Sequence, residues 1–203
     1  MVHGLYVLCD DDPRWRLDPV EQARAALAGG AHMLQLRAKR ATDAQTLAWA
    51  ESIRALASAH GALFFVNDRF DLALAAGADG VHLGQHDLPI EVVRPLVRDR
   101  LWIGVSTHDL AQVRAACAAG ADYIGFGPVF ATTTKANPDP VAGLAGLRAA
   151  VAEAGGLPVV AIGGITPQRV PEVYAAGAAA ICAISAVNDA PDVLAAARQM
   201  SRA

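Results

Sequence analysis

Short apolar runs of the length of a β-strand recur eight times along the chain, and they strongly restrict its possible folds. The runs are "LYVLCD", "MLQLRA", "ALFFVND", "GVHLGQ", "LWIGVS", "YIGFGPVF", "PVVAIGG" and "AAICAIS". Longer segments such as "TLAWAESIRALASAH" separate them and carry apolar residues at helical spacing. The runs are nearly continuously apolar, which is typical of parallel strands covered on both faces. We therefore predict an α/β fold, a single (β/α)8 TIM barrel, with a doubly wound open sheet as the alternative.

A weak internal repeat supports the same architecture. The segments "AGGAHMLQL", "AGADGVHL", "AGADYIGF" and "AGAAAICA" share one pattern, a helix that ends at glycine, a tight turn and a strand. We find no linker, low-complexity tract or shift in composition that would divide the chain. We therefore expect residues 1–203 to form one catalytic barrel domain.

Composition and charge argue against several classes of protein. The formal net charge is -3 and no block of consecutive Lys and Arg residues occurs, which argues against a nucleic-acid surface. Cys9, Cys117 and Cys182 lie far apart in apolar runs, so neither a disulfide framework nor a metal motif is indicated. The first residues lack the features of a signal peptide, and no apolar segment has the roughly 20 residues of a membrane helix. We expect a cytoplasmic protein without a membrane span, and the sequence leaves its oligomeric state open.

Polar residues, or in one case a pair of glycines, lie at or just after the predicted strands, at the end of the barrel where active sites of this fold lie. They are Asp10, Gln35, Arg37, Lys39, Asn67, Asp68, His82, Gln85, Asp87, Ser106, His108, Thr132, Thr134, Lys135, Gly163, Gly164 and Ser185. Their convergence on one rim predicts an active site.

The second strand carries a polar side chain at every other position. Alternation along a strand places Gln35, Arg37 and Lys39 on the same side, so we expect them to line the top of the barrel interior. Burying two cations there without a counter-ion is costly. Arg37 and Lys39 could pair with surface acids, or a bound anion would remove that cost.

A second anion site is predicted from the loops that follow strands seven and eight. Gly163 and Gly164 can form a tight turn, or bring backbone amides close to a phosphate at the usual position in these barrels, beside Ser185. The segment "GPVFATTTKANPDP" places Thr132, Thr133, Thr134 and Lys135 in succession. It is either a solvated turn or part of an anion site.

Two acidic residues at neighbouring strand ends indicate a metal. Mg2+ is typically held by one or two carboxylates together with substrate phosphate oxygens, and Asp68 and Asp87 fit that pattern beside the cations. Asn67, Asp68 and Asp87 could instead cap the following helices. His82 could be a core histidine, and His108 either a general acid–base or a cap.

The motifs taken together resemble the thiamine phosphate synthase family across nearly the whole chain. They are "QLRAK", "NDRFDLAL", "GVHLGQHD", "GVSTH", "ADYIGFGPVFATTTK" and "VVAIGGI", in family order and spacing. The resemblance implies a (β/α)8 barrel. It also implies an enzyme that joins hydroxymethylpyrimidine diphosphate to hydroxyethylthiazole phosphate, with Mg2+ and release of pyrophosphate.

The resemblance further implies a role for each site residue. The expected diphosphate ligands are Arg37, Lys39, Asn67 and Lys135, with Ser106 beside them, and the catalytic set is Lys135, Arg37, Lys39 and Ser106. The expected Mg2+ ligands are Asp68 and Asp87, and the expected pyrimidine contacts are Gln35 and His82. The expected thiazole phosphate ligands are Thr132, Thr134, Gly164 and Ser185. The implied reaction is a dissociative substitution, in which diphosphate leaves first and the thiazole nitrogen then attacks a methylene cation.

Two departures from the family pattern and two alternatives accompany this interpretation. His86 precedes Asp87 where an acidic residue is more usual, and "ANPDP" follows Lys135 in place of a charged stretch. A related thiazole tautomerase would use a histidine at the position of His108 and would lack much of the diphosphate and metal set. A non-catalytic phosphate-binding barrel would leave that set unexplained.

Overall fold

The computed structural model of the chain describes residues 1–132, 134 and 139–203. Eight parallel strands form a closed barrel in which each strand pairs with the next, and the eighth pairs with the first. The predicted (β/α)8 barrel is confirmed, and the doubly wound open sheet is excluded because the sheet has no edge.

The strands of the barrel are short, and helices cover them on the outside. The strands are β1 (Gly4–Asp10), β2 (Met33–Arg37), β3 (Leu63–Asn67), β4 (Gly80–Leu83), β5 (Trp102–Thr107), β6 (Tyr123–Phe126), β7 (Val159–Ile162) and β8 (Ala180–Ala183). The helices are α1 (Pro19–Ala28), α2 (Asp43–His60), α3 (Phe70–Ala75), α4 (Ile90–Val97), α5 (Leu110–Ala118), α6 (Gly143–Ala154), α7 (Val170–Ala175), α8 (Ser185–Asn188) and α9 (Val193–Arg202), with 3₁₀ turns at Arg98–Arg100 and Pro167–Arg169. Among the helices in the described ranges, none combines the length and apolar character needed to cross a membrane.

The repeated segments end their helices in the same way. Gly30, Gly77, Gly120 and Gly177 all adopt positive φ, between 64° and 97°, a conformation that glycine reaches without steric cost. The amide of the alanine after each glycine bonds back to a carbonyl five residues earlier, as from Ala31 to Ala26 at 3.0 Å. This closure turns the chain from each helix into the next strand.

Large aromatic side chains fill the inside of the barrel. Tyr6, Phe65 and Tyr123 are buried together there, and glycines on neighbouring strands make room for their rings. A Cβ added to Gly104 would lie 2.1 Å from Cζ of Tyr123, and one added to Gly80 would lie 2.5 Å from Cε1 of Phe65. The inner layer therefore consists of large rings packed against glycines, and it fills the barrel below the carboxyl ends of the strands.

Candidate active site

Arg37 lies at the end of β2 and is paired with a buried acid. Its guanidinium donates to the carboxylate of Asp10, a residue that is only 2% exposed. Asp10 also accepts from the amide of Asp12 at 2.8 Å and from Nε1 of Trp15 at 3.0 Å. These bonds fix the carboxylate, which in turn orients Arg37. Of the two alternatives that the sequence left open for this cation, pairing with an acid is seen, although Asp10 is buried rather than at the surface.

Lys39 lies in the loop after β2 rather than on the strand, because β2 ends at Arg37. The carboxylate of Asp11 holds this loop by accepting from the amides of Lys39, Arg40 and Ala41 at 2.9, 2.8 and 2.8 Å. The Lys39 ammonium pairs with Asp68, so it too has a carboxylate partner. Acids at the end of β1, in the loop after it and directly after β3 thus position both cations at the rim.

Asp68 and Asp87 lie side by side, as the sequence predicted. Asp68 adopts a φ of 63°, in the left-handed region that is costly for most residues, and its amide donates to the carbonyl of His82 at 2.8 Å. Burial raises the pKa of Asp87, and the adjacent Asp68 carboxylate raises it further. The Gly84 amide, which donates to Asp87 at 2.6 Å, and the Lys39 ammonium oppose that rise. Two carboxylates crowded together in this way favour binding of a cation.

Asp68 and Asp87 do not cap the helices that follow them, so that alternative is wrong. Helix α3 starts after Arg69 and helix α4 after Pro89, and neither helix start has a side-chain cap bond. Within the described ranges, no group of three or more His, Cys, Asp or Glu side chains forms a metal site. The two carboxylates of Asp68 and Asp87 fit a Mg2+ ion that takes its other ligands from phosphate and water.

A hydrogen-bonded chain of five side chains crosses the barrel interior beneath these charges. Nε2 of Gln35 donates to the Tyr6 hydroxyl at 2.7 Å, which lies 3.1 Å from the Tyr123 hydroxyl. The Tyr123 oxygen lies 2.9 Å from Nδ1 of His82, and Nε2 of His82 lies 2.9 Å from Oγ of Ser106. We call these five residues the polar chain. It connects three predicted site residues through two tyrosines that the sequence reasoning missed.

The polar chain is electrically neutral near neutral pH. Burial lowers the pKa of His82 to about 4, although the charge of Asp68 acts in the opposite direction. Burial also raises the pKa of Tyr6 and of Tyr123 well above the ordinary value. A neutral imidazole therefore bridges Tyr123 and Ser106.

Hydroxyl groups from the loop after β6 and from the first residue of α8 meet at the other side of the rim. Oγ1 of Thr134 donates to Oγ of Ser185 at 3.1 Å, and the Thr134 amide donates to Oγ1 of Thr132 at 3.3 Å. Nη2 of Arg14, from the β1 loop, donates to the Thr134 carbonyl at 3.2 Å. Lys135 and Thr133 of this segment lie outside the described residues, as do residues 136–138 of "ANPDP".

The glycines after β7 allow the β6 and β7 loops to pack together. Gly163 and Gly164 adopt φ values of 101° and 63°. The Phe130 amide donates to the Gly163 carbonyl at 2.9 Å, and a Cβ on Gly164 would lie 2.4 Å from the Ala131 oxygen. Side chains larger than hydrogen are excluded here, so backbone groups line this part of the rim.

His108 does not cap helix α5, because that role belongs to Asp109, whose carboxylate accepts from the Gln112 amide at 2.8 Å. Nδ1 of His108 donates to the Gly127 carbonyl at 2.6 Å, and Nε2 lies 3.5 Å from a carboxylate oxygen of Asp139. The ring therefore connects the end of β5 with the segment after β6.

Comparison with known proteins identifies the family. The family model described as thiamine monophosphate synthase matches residues 5–187. The chain belongs to the thiamine monophosphate synthase family. It is 50% identical to a thiamine-phosphate synthase of Anaeromyxobacter dehalogenans (strain 2CP-C), over 98% of this chain and 87% of that protein. It is 47% identical to the thiamine-phosphate synthase of Methanoculleus marisnigri, over 98% of this chain and 94% of that protein.

Solved structures agree with this result. A thiamine phosphate pyrophosphorylase from Pyrococcus furiosus superposes with a TM-score of 0.89 at 42% identity, over 98% of this chain and 94% of that one. A 3-hexulose-6-phosphate synthase, at 21% identity and a TM-score of 0.72, shares the fold alone. The resemblance seen in the motifs is confirmed, and so is the interpretation as a transferase, a thiamine phosphate synthase. The tautomerase and the non-catalytic barrel receive no support from these relatives.

Proposed function

We propose that the protein joins hydroxymethylpyrimidine diphosphate to hydroxyethylthiazole phosphate, giving thiamine phosphate and pyrophosphate. The observation that carries this proposal is the placement of Lys39 against the carboxylate pair of Asp68 and Asp87, with Arg37, held by Asp10, at the end of the neighbouring strand β2. Cations and a metal-binding carboxylate pair at one rim suit a diphosphate group. We further propose that residues 1–203 act as one catalytic domain in the cytoplasm, consistent with free cysteines.

The diphosphate binds, in this proposal, to Arg37, Lys39 and Asn67, with the Ser106 hydroxyl beside it. Asp10 holds the Arg37 guanidinium and Asp11 holds the Lys39 loop, so both cations are oriented before the substrate arrives. Preorganised charges stabilise a developing anion without reorganising during the reaction. Lys135, outside the described residues, completes the set in the sequence-based assignment.

Mg2+ would be held by Asp68 and Asp87. When bound, the ion supplies positive charge that neutralises the departing diphosphate. Lys39, which pairs with Asp68, lies close enough to share the same phosphate oxygens. The raised pKa of Asp87 supports this assignment, because the cost of placing two carboxylates together falls when a cation binds between them.

The thiazole phosphate binds, in this proposal, to Thr132, Thr134, Gly164 and Ser185. The hydroxyls of Thr134 and Ser185 already meet at 3.1 Å, so both can turn toward one phosphate. Gly164, with a φ of 63°, turns the chain after β7, at the position where barrels of this class commonly bind phosphate. Two anion sites at opposite sides of one rim would hold both substrates over the barrel interior.

The reaction needs little acid–base chemistry from the protein. Loss of diphosphate from the electron-rich aminopyrimidine leaves a methylene cation, which the thiazole nitrogen captures. The pyrimidine would lie near Gln35 and His82, whose hydrogen bonds fix their positions. Positioning of the two substrates and stabilisation of the leaving group then supply the rate enhancement.

A coupling assay tests the proposal. The purified protein is incubated with both substrates and Mg2+, and thiamine phosphate is measured, with each substrate omitted in turn as a control. We expect product only when both are present. Isomerisation of a thiazole phosphate tautomer without coupling would favour the tautomerase. Phosphate binding without either reaction would favour the non-catalytic barrel.

A further inference from the structure

The hydrogens available in the polar chain determine the direction of its first bond. The amide nitrogen of Gln35 can only donate, so the Tyr6 oxygen accepts at 2.7 Å. The hydrogen of Tyr6 must then find an acceptor, because Tyr6 is 1% exposed and an unmade buried hydrogen bond is costly. The Tyr123 oxygen, 3.1 Å away, supplies that acceptor.

The same direction of hydrogen-bond donation continues from Tyr123 through His82 to Ser106. With its oxygen accepting from Tyr6, Tyr123 gives its own hydrogen to Nδ1 of His82 at 2.9 Å. A ring nitrogen that accepts a hydrogen bond carries no hydrogen, so the ring hydrogen resides on Nε2 and is donated to Oγ of Ser106 at 2.9 Å. Among the described residues, His82 is the side chain bonded to that hydroxyl, so the hydrogen of Ser106 points elsewhere.

We infer that the polar chain fixes His82 as the Nε2–H tautomer and thereby turns the hydroxyl hydrogen of Ser106 toward the leaving diphosphate. Tyr6 and Tyr123 are positioning residues that act through His82. This inference rests on the proposed function for the identity of the anion, whereas the tautomer follows from the geometry alone. It assigns to two buried tyrosines a part in orienting the site.

The direction of the Ser106 hydrogen matters because the diphosphate accepts hydrogen bonds and donates none. A hydroxyl that accepts from His82 presents a donor to the anion. The reverse order would turn the Gln35 amide oxygen toward Tyr6, place the histidine hydrogen on Nδ1 and make Ser106 donate to His82. The lone pairs of Ser106 would then face the anion and oppose its charge.

Nitrogen NMR of the protein labelled with 15N-histidine, without substrates, tests the tautomer directly. We expect Nδ1 of His82 to show the shift of an unprotonated ring nitrogen and Nε2 that of a protonated one, between pH 5.5 and 8. The Tyr123→Phe variant should lose this strong preference, while Tyr174→Phe, which changes an exposed tyrosine on α7, should keep it. An Nδ1–H tautomer in the unmodified protein would overturn the inference, even if the enzyme were active.

A kinetic double-mutant cycle tests the effect on Ser106. Tyr123→Phe should lower kcat by on the order of tenfold, the effect of about one hydrogen bond, with little change in KM for the pyrimidine diphosphate. In the Ser106→Ala background the same substitution should cost much less, because the hydroxyl that it orients is gone. Equal losses in both backgrounds, with folding verified by thermal unfolding, would show a merely structural role. Failure of the unmodified protein to couple the substrates would refute the proposed function and leave the tautomer result standing.

Discussion

The guanidinium carbon of Arg169 lies 4.1 Å from the centroid of the Phe130 ring. The same side chain donates from Nη1 to the Gly164 carbonyl at 2.9 Å. Phe130 follows β6 and Gly164 follows β7, so one cation connects the two loops of the proposed thiazole phosphate site. The sequence reasoning did not single out Arg169, since it lies five residues beyond the glycine that it holds.

We predict that Arg169→Ala weakens binding of the thiazole phosphate selectively. A cation–π contact and a hydrogen bond are each worth about 1 kcal/mol, so the KM for this substrate should rise by up to roughly thirtyfold. The KM for the pyrimidine diphosphate should change little. Arg169→Lys should recover only part of the loss, because an ammonium lacks the planar surface that stacks on Phe130.

Steady-state kinetics with each substrate varied in turn measure this effect. Arg198→Ala, which removes an exposed arginine from α9, is the matched control and should leave both KM values unchanged. A similar rise in both KM values for Arg169→Ala would contradict the assignment of this loop pair to one substrate.

A second prediction concerns the carboxylate pair. Asp68→Asn together with Asp87→Asn should abolish the dependence of activity on Mg2+ and lower turnover by about a hundredfold or more, since a major charge in the site is lost. The exposed Asp99→Asn, on the 3₁₀ turn after α4, should behave as the unmodified protein does. Turnover is measured across a Mg2+ titration and in excess chelator. Full activity in chelator would remove the metal from the reaction.

Lys135 gives a third prediction, which rests on the sequence. If its ammonium neutralises charge on the departing diphosphate, the interaction strengthens as the bond breaks, so Lys135→Ala should slow the chemical step. Losing one preorganised donor costs on the order of 3 kcal/mol, or about a hundredfold in rate. Lys135→Arg should recover part of that rate. Single-turnover rates that remain unchanged in Lys135→Ala would exclude the lysine from the mechanism.

Features that depend on neighbouring residues could be predicted from the sequence, whereas contacts between residues far apart in the sequence could not. Glycine-terminated helices and apolar strands are local patterns, so the barrel and the rim positions of Asp68 and Asp87 could be predicted. The partners in the polar chain could not, because Tyr6 and Tyr123 are 117 residues apart and meet only when the barrel closes. Pairing of β1 with β2 sets Asp10 beside Arg37, 27 residues away in sequence, and so supplies a buried counter-ion that the sequence did not identify.

The glycines inside the barrel provide a prediction about stability. In Gly104→Ala the new Cβ would lie 2.1 Å from Cζ and 2.5 Å from the hydroxyl oxygen of Tyr123, whose ring is fully buried. We expect the free energy of unfolding to fall by about 1–3 kcal/mol, the usual range for an overpacked core. Chemical denaturation measures the change. In a Tyr123→Leu background, where the ring is absent, the same substitution should cost less, and an equal cost would show that the ring is not what limits position 104.

The half-buried imidazole of His82 makes stability depend on pH in a defined window. Its folded pKa of about 4 lies below the ordinary value of 6.5, so the unfolded chain takes up a proton as the pH falls through 6.5 while the folded protein does not until about pH 4. The free energy of unfolding should therefore decrease between pH 6.5 and 4, by up to about 2 kcal/mol at pH 5 from this group alone. The His82→Gln variant lacks the titrating group and tests this prediction. The free energy of unfolding of the unmodified protein, relative to that of His82→Gln, should fall by about 2 kcal/mol from pH 7 to pH 5.

His60→Gln, which changes an exposed histidine at the end of α2, is the control. Its free energy of unfolding should change with pH as that of the unmodified protein does. A stability difference for His82→Gln that stays constant between pH 7 and 5 would mean that His82 takes up its proton at the same pH in the folded and unfolded protein, so that its folded pKa is not lowered.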